Sequence, residues 1–85
     1  MWYVYLLQNN QERWYIGSTN NLQKRILSHN SGKNQSTKRW VPWKLIYCEI
    51  SINRDDARVR EKYLKSGMGR KYLKNRLKLF FAQGF

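Results

Sequence analysis

Residues 2–18 read WYVYLLQNNQERWYIGS, and this stretch narrows the possible folds more than any other. Trp, Tyr, Val and Ile favour a pleated, half-buried surface. The polar run QNNQE has the length of a hairpin connection. Two strands are therefore expected, over residues 2–8 and 13–18, paired antiparallel. A lone hairpin is at best marginally stable in water, so the rest of the chain has to cover it. The hairpin also places Tyr5 and Tyr15 on facing strands. Their rings could pack across the pair in the ordinary way, or their hydroxyls could serve a reaction centre.

The covering elements follow from periodicity and punctuation. Asn20 or Asn21 can cap a helix, and Leu22, Ile26 and Leu27 then recur at helical spacing. That helix should stop near Asn30-Ser31-Gly32, where glycine can take a left-handed cap conformation. SGKNQSTKRWVP (31–42) is a long polar, basic loop ending at the sole proline. Loops of this length in small domains carry function or mobility. WKLIYCEISI (43–52) reads as a third strand. Asn53 can cap a second helix that carries Asp55 and Asp56 in its first turn and can end at Gly67. GRKYLKNRLKLFFAQG (69–84) reads as one last helix, with Leu73, Leu77, Phe80 and Phe81 as its apolar stripe and Gly84 as its stop. The order is β-β-α-β-α-α in a single domain over residues 1–85. The fold class is α+β: a small antiparallel or mixed three-stranded sheet with three helices packed on it. A domain of this size buries only about 60% of the surface that its unfolded chain exposes. Any active site must then be a shallow concave face shared with core-forming elements.

Charge narrows the partner. Seventeen Lys+Arg against five Asp+Glu give a formal net charge of +12. Such an imbalance strains the folded chain by self-repulsion, and a polyanion would relieve it. Nucleic acid fits better than a membrane surface. No apolar run approaches the ~20 residues that span a bilayer, and no basic region precedes MWYVYLL as it would in a signal peptide. The aromatic content of 15% argues against a disordered basic tail. Cys48 is the only cysteine, so an internal disulfide is excluded, and a reducing, cytoplasmic setting is the simple reading. With one Cys and one His, a structural zinc site of four protein ligands is hardly available. Cys48 inside an apolar run reads as core packing rather than as a thiol nucleophile paired with His29. Lys33, Lys38, Arg39, Arg70, Lys71 and Lys74 are candidates for backbone phosphate contacts, each also readable as a solvated charge. Trp40 and Trp43 could stack on unpaired bases or close the core.

Three constellations could carry chemistry. Glu61 is the only side-chain carboxylate from Arg58 to the end of the chain, among nine basic residues. It lies one helical turn from Ala57 and Leu64, on the rim of the core-facing side. It could pair with Lys65 at i,i+4, worth only ~0.3–0.5 kcal/mol. It could instead hold a Mg²⁺ ion that keeps waters and takes substrate phosphate oxygens. Arg25 and His29, four apart, share a helix face that is either solvated or shaped to grip one phosphate. For Tyr5 and Tyr15, an unperturbed phenol near pKa ~10 is only about one-thousandth phenolate at neutral pH. Catalytic use would need nearby cations, which this chain has in excess.

Taken in order, YVY (3–5), YIG (15–17), an arginine ten residues after Tyr15, a histidine four beyond it and a glutamate on a later basic helix resemble the GIY-YIG nuclease superfamily. The first motif is altered, with Tyr3 and Val4 where Gly and Ile are typical, and its tyrosine, Tyr5, is kept. YIGSTNNLQKRILSHNSG and REKYLKSGMGRKYLK resemble segments of small standalone bacterial members, and the resemblance runs from residue 2 to about residue 78. It implies an antiparallel three-stranded sheet flanked by helices. It also implies a metal-dependent endonuclease that hydrolyses DNA phosphodiester bonds, structure-directed or weakly sequence-specific, with one Mg²⁺ or Mn²⁺. Position by position it implies Tyr5, Tyr15, Arg25 and His29 as catalytic residues, Glu61 as the metal ligand and Gly17 as the glycine of the tight turn. Asn75 falls opposite the apolar stripe of its helix and is not assigned. The choice of DNA over RNA comes from the resemblance and not from charge. A non-catalytic nucleic-acid-binding module on the same scaffold is the competing expectation.

Overall fold

The computed structural model describes residues 1–83. Strands β1 (Trp2–Asn9), β2 (Trp14–Thr19) and β3 (Trp43–Ser51) form one sheet in the order β2-β1-β3, and both pairings are antiparallel. Four helices accompany it: α1 (Leu22–Asn30), α2 (Arg54–Lys65), α3 (Gly67–Arg76) and the short α4 (Lys78–Ala82). A single 3-10 turn, Lys38–Trp40, interrupts the long basic loop.

The alternation of β1 explains the layering. Val4 and Leu6 point to one face and pack with Ile16, Ala57, Leu64 and Leu73, so α2 and α3 cover that side. Tyr5 and Leu7 point to the other face and pack with Trp43, Tyr15, Leu22, Ile26 and Trp40, so α1 and the basic loop cover this one. A strand apolar on both faces has to be the central one, and β1 is. In β3 the register shifts between Leu6 and Leu7, which pair with Tyr47 and Leu45. Ile46 is the extra residue of a bulge, a device that bends a strand and raises its twist.

The helix starts have visible causes. The Asn21 side chain accepts from the Lys24 N–H, and that of Asn53 accepts from the N–H groups of Asp55 and Asp56. Asn9 organises the hairpin turn. Its Oδ1 accepts from the N–H groups of Gln11 and Arg13 at 3.0 and 2.8 Å, while its Nδ2 donates to the Trp40 carbonyl. The turn leaves Glu12 at φ 63°, a left-handed conformation that side chains rarely adopt.

Two boundaries depart from the sequence reading. Gly67 begins α3 rather than ending α2, because Ser66 breaks the helix and its hydroxyl accepts from the Gly69 N–H as a new N-cap. Gly69 is the crossing point: a Cβ there would collide with the Tyr63 carbonyl and with Leu64, so α2 and α3 meet backbone to backbone. The expected last helix is two, split at Leu77, which leaves helical geometry at φ −108°, ψ 18°. The predicted stop at Gly84 lies outside the described residues.

Candidate active site

The site follows from the position of β2. It is an edge strand, so one side is paired with β1 and the other is open. Successive side chains point to opposite faces. Tyr15 and Gly17 lie on the α1 side of the sheet, and Ser18 lies on the α2 side with Ile16. Helix α1 brings Arg25 to the first side, and α2 brings Glu61 to the second. The two walls meet around the free edge of β2 in a cleft of about 480 Å³. Tyr15, Gly17, Ser18, Arg25 and Glu61 line it, with Arg58, Lys62 and Lys65 on its α2 wall. Residues up to 50 positions apart in sequence thus share one concavity. A larger depression of about 580 Å³ lies near the hairpin turn, lined among others by Gln8, Asn9, Pro42 and Trp43, and holds none of this constellation.

Tyr5 and His29 sit directly behind the cleft wall. Tyr5 is 1% exposed, and its hydroxyl is 3.0 Å from His29 Nε2. The fully buried His29 has its Nδ1 2.8 Å from Thr37 Oγ1. The imidazole is therefore held at both nitrogens, by a phenol from the sheet and by a hydroxyl from the basic loop. Thr37 is itself fixed, because Trp43 Nε1 donates to its carbonyl at 3.0 Å. The Tyr15 ring lies 4.7 Å from the imidazole and 6.3 Å from the Tyr5 ring. Gly17, expected as the glycine of a tight turn, lies instead inside β2 opposite Tyr5, and there it closes the arrangement. A Cβ on it would stand 2.6 Å from the Tyr5 hydroxyl and 3.1 Å from the Tyr15 ring, so only glycine lets both phenols approach the strand.

Burial sets the protonation of this inner group. It pushes the Tyr5 phenol well above the ordinary range. Tyr15 adds to the rise, and the Arg25 guanidinium opposes it without cancelling it. Burial also lowers the His29 pKa below the usual 6.5, and the charge of Arg25 lowers it further. At neutral pH the pair is a protonated phenol and a neutral imidazole. Cys48 takes no part: its thiol lies near the Glu49 carbonyl, and His29 has other partners.

Glu61 meets the cleft as a carboxylate. Burial alone would raise its pKa, but hydrogen bonds from Lys65 and Ser18 and the charges of Lys65 and Arg58 lower it overall. The Ser18 hydroxyl donates to Oε1 at 2.6 Å, and Lys65 Nζ donates to Oε2 at 2.7 Å. Among the described residues no group of three or more His, Cys, Asp or Glu side chains could enclose a metal ion. The donor set is a single ionised carboxylate at an open cleft. That suits a hard divalent ion that keeps most of its waters, and it does not suit an all-protein cage.

The six proposed phosphate-contact residues, Lys33, Lys38, Arg39, Arg70, Lys71 and Lys74, are all exposed. None lines this cleft. Arg70 and Lys74 instead line a depression nearer the hairpin turn, with Glu12, Arg13 and Trp14. Of the two loop tryptophans, Trp43 is buried and Trp40 is half-buried against the α1-side core. Asn75 is exposed on α3. Sequence reasoning did not find Ser18, Thr37, Arg58, Lys62 or Lys65 as parts of the site. Ser18 and Thr37 are ordinary polar residues whose roles arise from contacts 43 and 8 positions away. The three cations follow from helical spacing around Glu61 once its orientation is known.

A three-stranded antiparallel sheet between helices, with phenols, a guanidinium and a carboxylate gathered at one strand edge, is the α+β architecture that the sequence resemblance implies. The chain belongs to the GIY-YIG family: the GIY-YIG catalytic domain matches residues 1–78. It is 46% identical over 64 residues to the UPF0213 protein CPE1444 of Clostridium perfringens, an alignment that covers 74% of this chain and 69% of that one. It is 36% identical over 64 residues to the UPF0213 protein YazA of Bacillus subtilis, covering 74% of this chain and 65% of the relative. The solution NMR structure of the UPF0213 protein BH0048 from Bacillus halodurans superposes with a TM-score of 0.55 at 29% identity, covering 88% of this chain and 84% of that one. These alignments span roughly two-thirds of the sequence relatives, with 65% for YazA as the lower figure. No described helix is long and apolar enough to cross a membrane.

Proposed function

We propose that this domain is a divalent-metal-dependent endonuclease that hydrolyses phosphodiester bonds of DNA. The observation that carries the reading is the convergence of Tyr15, Arg25 and Glu61 on one cleft across the free edge of β2. Hydrolysis needs a deprotonated nucleophile, neutralisation of charge building on the phosphate, and help for the leaving oxygen. Tyr15 is the phenol on the cleft wall; in its phenolate form it takes the proton of the attacking water and returns it to solvent through the open cleft. Tyr5, buried and held protonated, serves from behind by fixing His29 and filling the space under Gly17. His29, neutral and anchored by Thr37 and Tyr5, packs against the Tyr15 ring and holds it in place. Arg25 faces the equatorial oxygens of the phosphate as a bidentate donor. Glu61, oriented by Ser18, would hold a Mg²⁺ or Mn²⁺ ion once Lys65 turns away. That ion, when bound, supplies Lewis-acid stabilisation of the leaving oxygen.

The test is a nicking assay on supercoiled, branched and single-stranded DNA with and without Mg²⁺ or Mn²⁺. We expect cleavage only with metal, loss of cleavage in Glu61→Gln, and a drop of about 10²–10³ in kcat for Arg25→Ala, with both variants folded. Absence of cleavage on every substrate with either metal, or a Glu61→Gln variant as active as wild type, overturns the reading. The competing reading is a module that binds nucleic acid without cutting it. One observation favours it: both oxygens of the only cleft carboxylate already accept hydrogen bonds. Metal-independent binding without cleavage is its signature. Cytoplasmic location is proposed with either reading, from the lone cysteine.

A further inference from the structure

The cleft's construction, one wall on each side of the open edge of β2, repeats at the other end of the strand. Arg13 lies on the α1 side with its guanidinium 3.7 Å above the Trp40 ring. Trp14 lies on the opposite side, with Arg70 5.6 Å from its ring centre on α3. Trp14 is itself backed by Phe81, stacked at 6.0 Å and 17°. Arg13, Trp14, Arg70 and Lys74 line a depression of about 460 Å³ in which Glu12 is the one acid. The only ion pairs among the described residues are Arg60–Glu49 and Lys65–Glu61, so neither Arg13 nor Arg70 is neutralised by a carboxylate.

We infer that the edge of β2 is a path for one unpaired nucleic-acid strand, running from the cleft at Gly17 to an arginine clamp of Arg13 and Arg70 at the hairpin end. This deepens the nuclease reading and rests on it for the direction in which the strand leaves. A guanidinium held over an aromatic ring loses rotamer freedom but keeps N–H groups for a phosphate, closely so for Arg13 at 3.7 Å and more loosely for Arg70 at 5.6 Å. Its outer face is a plane on which an unpaired base can stack. From Gly17 to Arg13 the strand covers about 13 Å, a span that a few nucleotides of an extended strand would bridge. Cations flank it throughout: Arg25, Arg58 and Lys62 at one end, and Arg13, Arg70 and Lys74 at the other. A duplex offers no free base faces and would use only the charge.

The test measures binding without divalent metal, by fluorescence anisotropy of labelled single-stranded DNA of about two nucleotides, too short to join the two ends, and of about twelve, with a duplex of the longer length as comparison. We expect the longer strand to bind at least tenfold tighter than the shorter one and more tightly than the duplex. Arg13→Gln and Arg70→Gln should each weaken the longer strand about fivefold to tenfold and leave the short one unchanged. Glu12→Gln should tighten the longer strand severalfold, a gain that misfolding cannot imitate. Equal affinity of wild type and all three variants for the longer strand, or equal binding of strand and duplex, overturns the path. The two readings fail separately. Length-dependent strand binding without cleavage by any metal keeps the path and removes the nuclease. Cleavage with no effect of Arg13, Arg70 or Glu12 keeps the nuclease and removes the path.

Discussion

His29 shows how much a single residue's surroundings decide. It is the only histidine in the chain, so its imidazole proton resonances can be followed by NMR without assignment. Burial and Arg25 hold its folded pKa below the usual 6.5. The unfolded chain therefore takes up a proton first as pH falls. His29's contribution to stability is complete above about pH 6.5 and declines below it. We expect a native titration midpoint under 6.5, and a melting temperature that falls on acidification from neutral pH in wild type but less in His29→Gln. A midpoint at or above 6.5 contradicts this environment. Thr37→Val keeps the shape of the side chain and strands Nδ1, which should cost about 1–3 kcal/mol, while Thr37→Ser restores the bond. Thermal unfolding of the two variants separates these outcomes. Gly17→Ala forces the Tyr5 hydroxyl and the Tyr15 ring aside, and we expect a loss of about 1–3 kcal/mol together with weakened activity in the nicking assay. Gly17 was expected in a turn and lies within β2, whereas Tyr5, Tyr15, Arg25 and Glu61 were visible in the sequence as residue types at suggestive spacings. Which phenol faces the cleft was not, because strand parity alone leaves Tyr5 and Tyr15 on the same side. Only the burial of the central strand separates them.

At the scale of elements, starts were more legible than ends. Asn21, one of two candidates, caps α1 and Asn53 caps α2 as expected, and replacing either by Ala should cost about 1 kcal/mol, readable in denaturant midpoints. The break between α2 and α3 was misread because glycine usually closes helices. Here Ser66 ends one helix and caps the next, and the glycine that matters is Gly69, whose missing side chain lets two backbones touch. Gly69→Ala should be among the most damaging single-methyl additions in the chain, at or above the upper end of the ~1–3 kcal/mol typical of overpacking. Chemical denaturation would show it as a lowered midpoint with an unchanged slope. The split at Leu77 left no mark in the apolar stripe, which continues through it.

For the whole molecule, the net charge of +12 makes two quantities respond to salt in opposite directions. Added salt screens self-repulsion and should raise the melting temperature. The same salt should weaken nucleic-acid binding, with a log–log slope of about −0.7 per phosphate contacted on a single strand. Measured on one preparation, a shared sign would show that the charge is not organised toward a polyanion. Acid works on the few carboxylates. Arg60 donates to both oxygens of Glu49 at 2.8 and 3.0 Å and, with Tyr47, lowers its pKa against the opposing effect of burial. That stability is present above the ordinary carboxylate value near 4.3 and is lost as pH falls from there through the lowered folded value, so Glu49→Gln should flatten the acid limb of the stability curve. The open side of β2 has one more consequence. Unpaired backbone groups along an edge invite a second chain to add its own strand and start a growing fibre. Arg13, Arg25, Arg58 and Lys62 crowd the flanks of this edge, so two copies that approach each other there meet like charge before their backbones can pair.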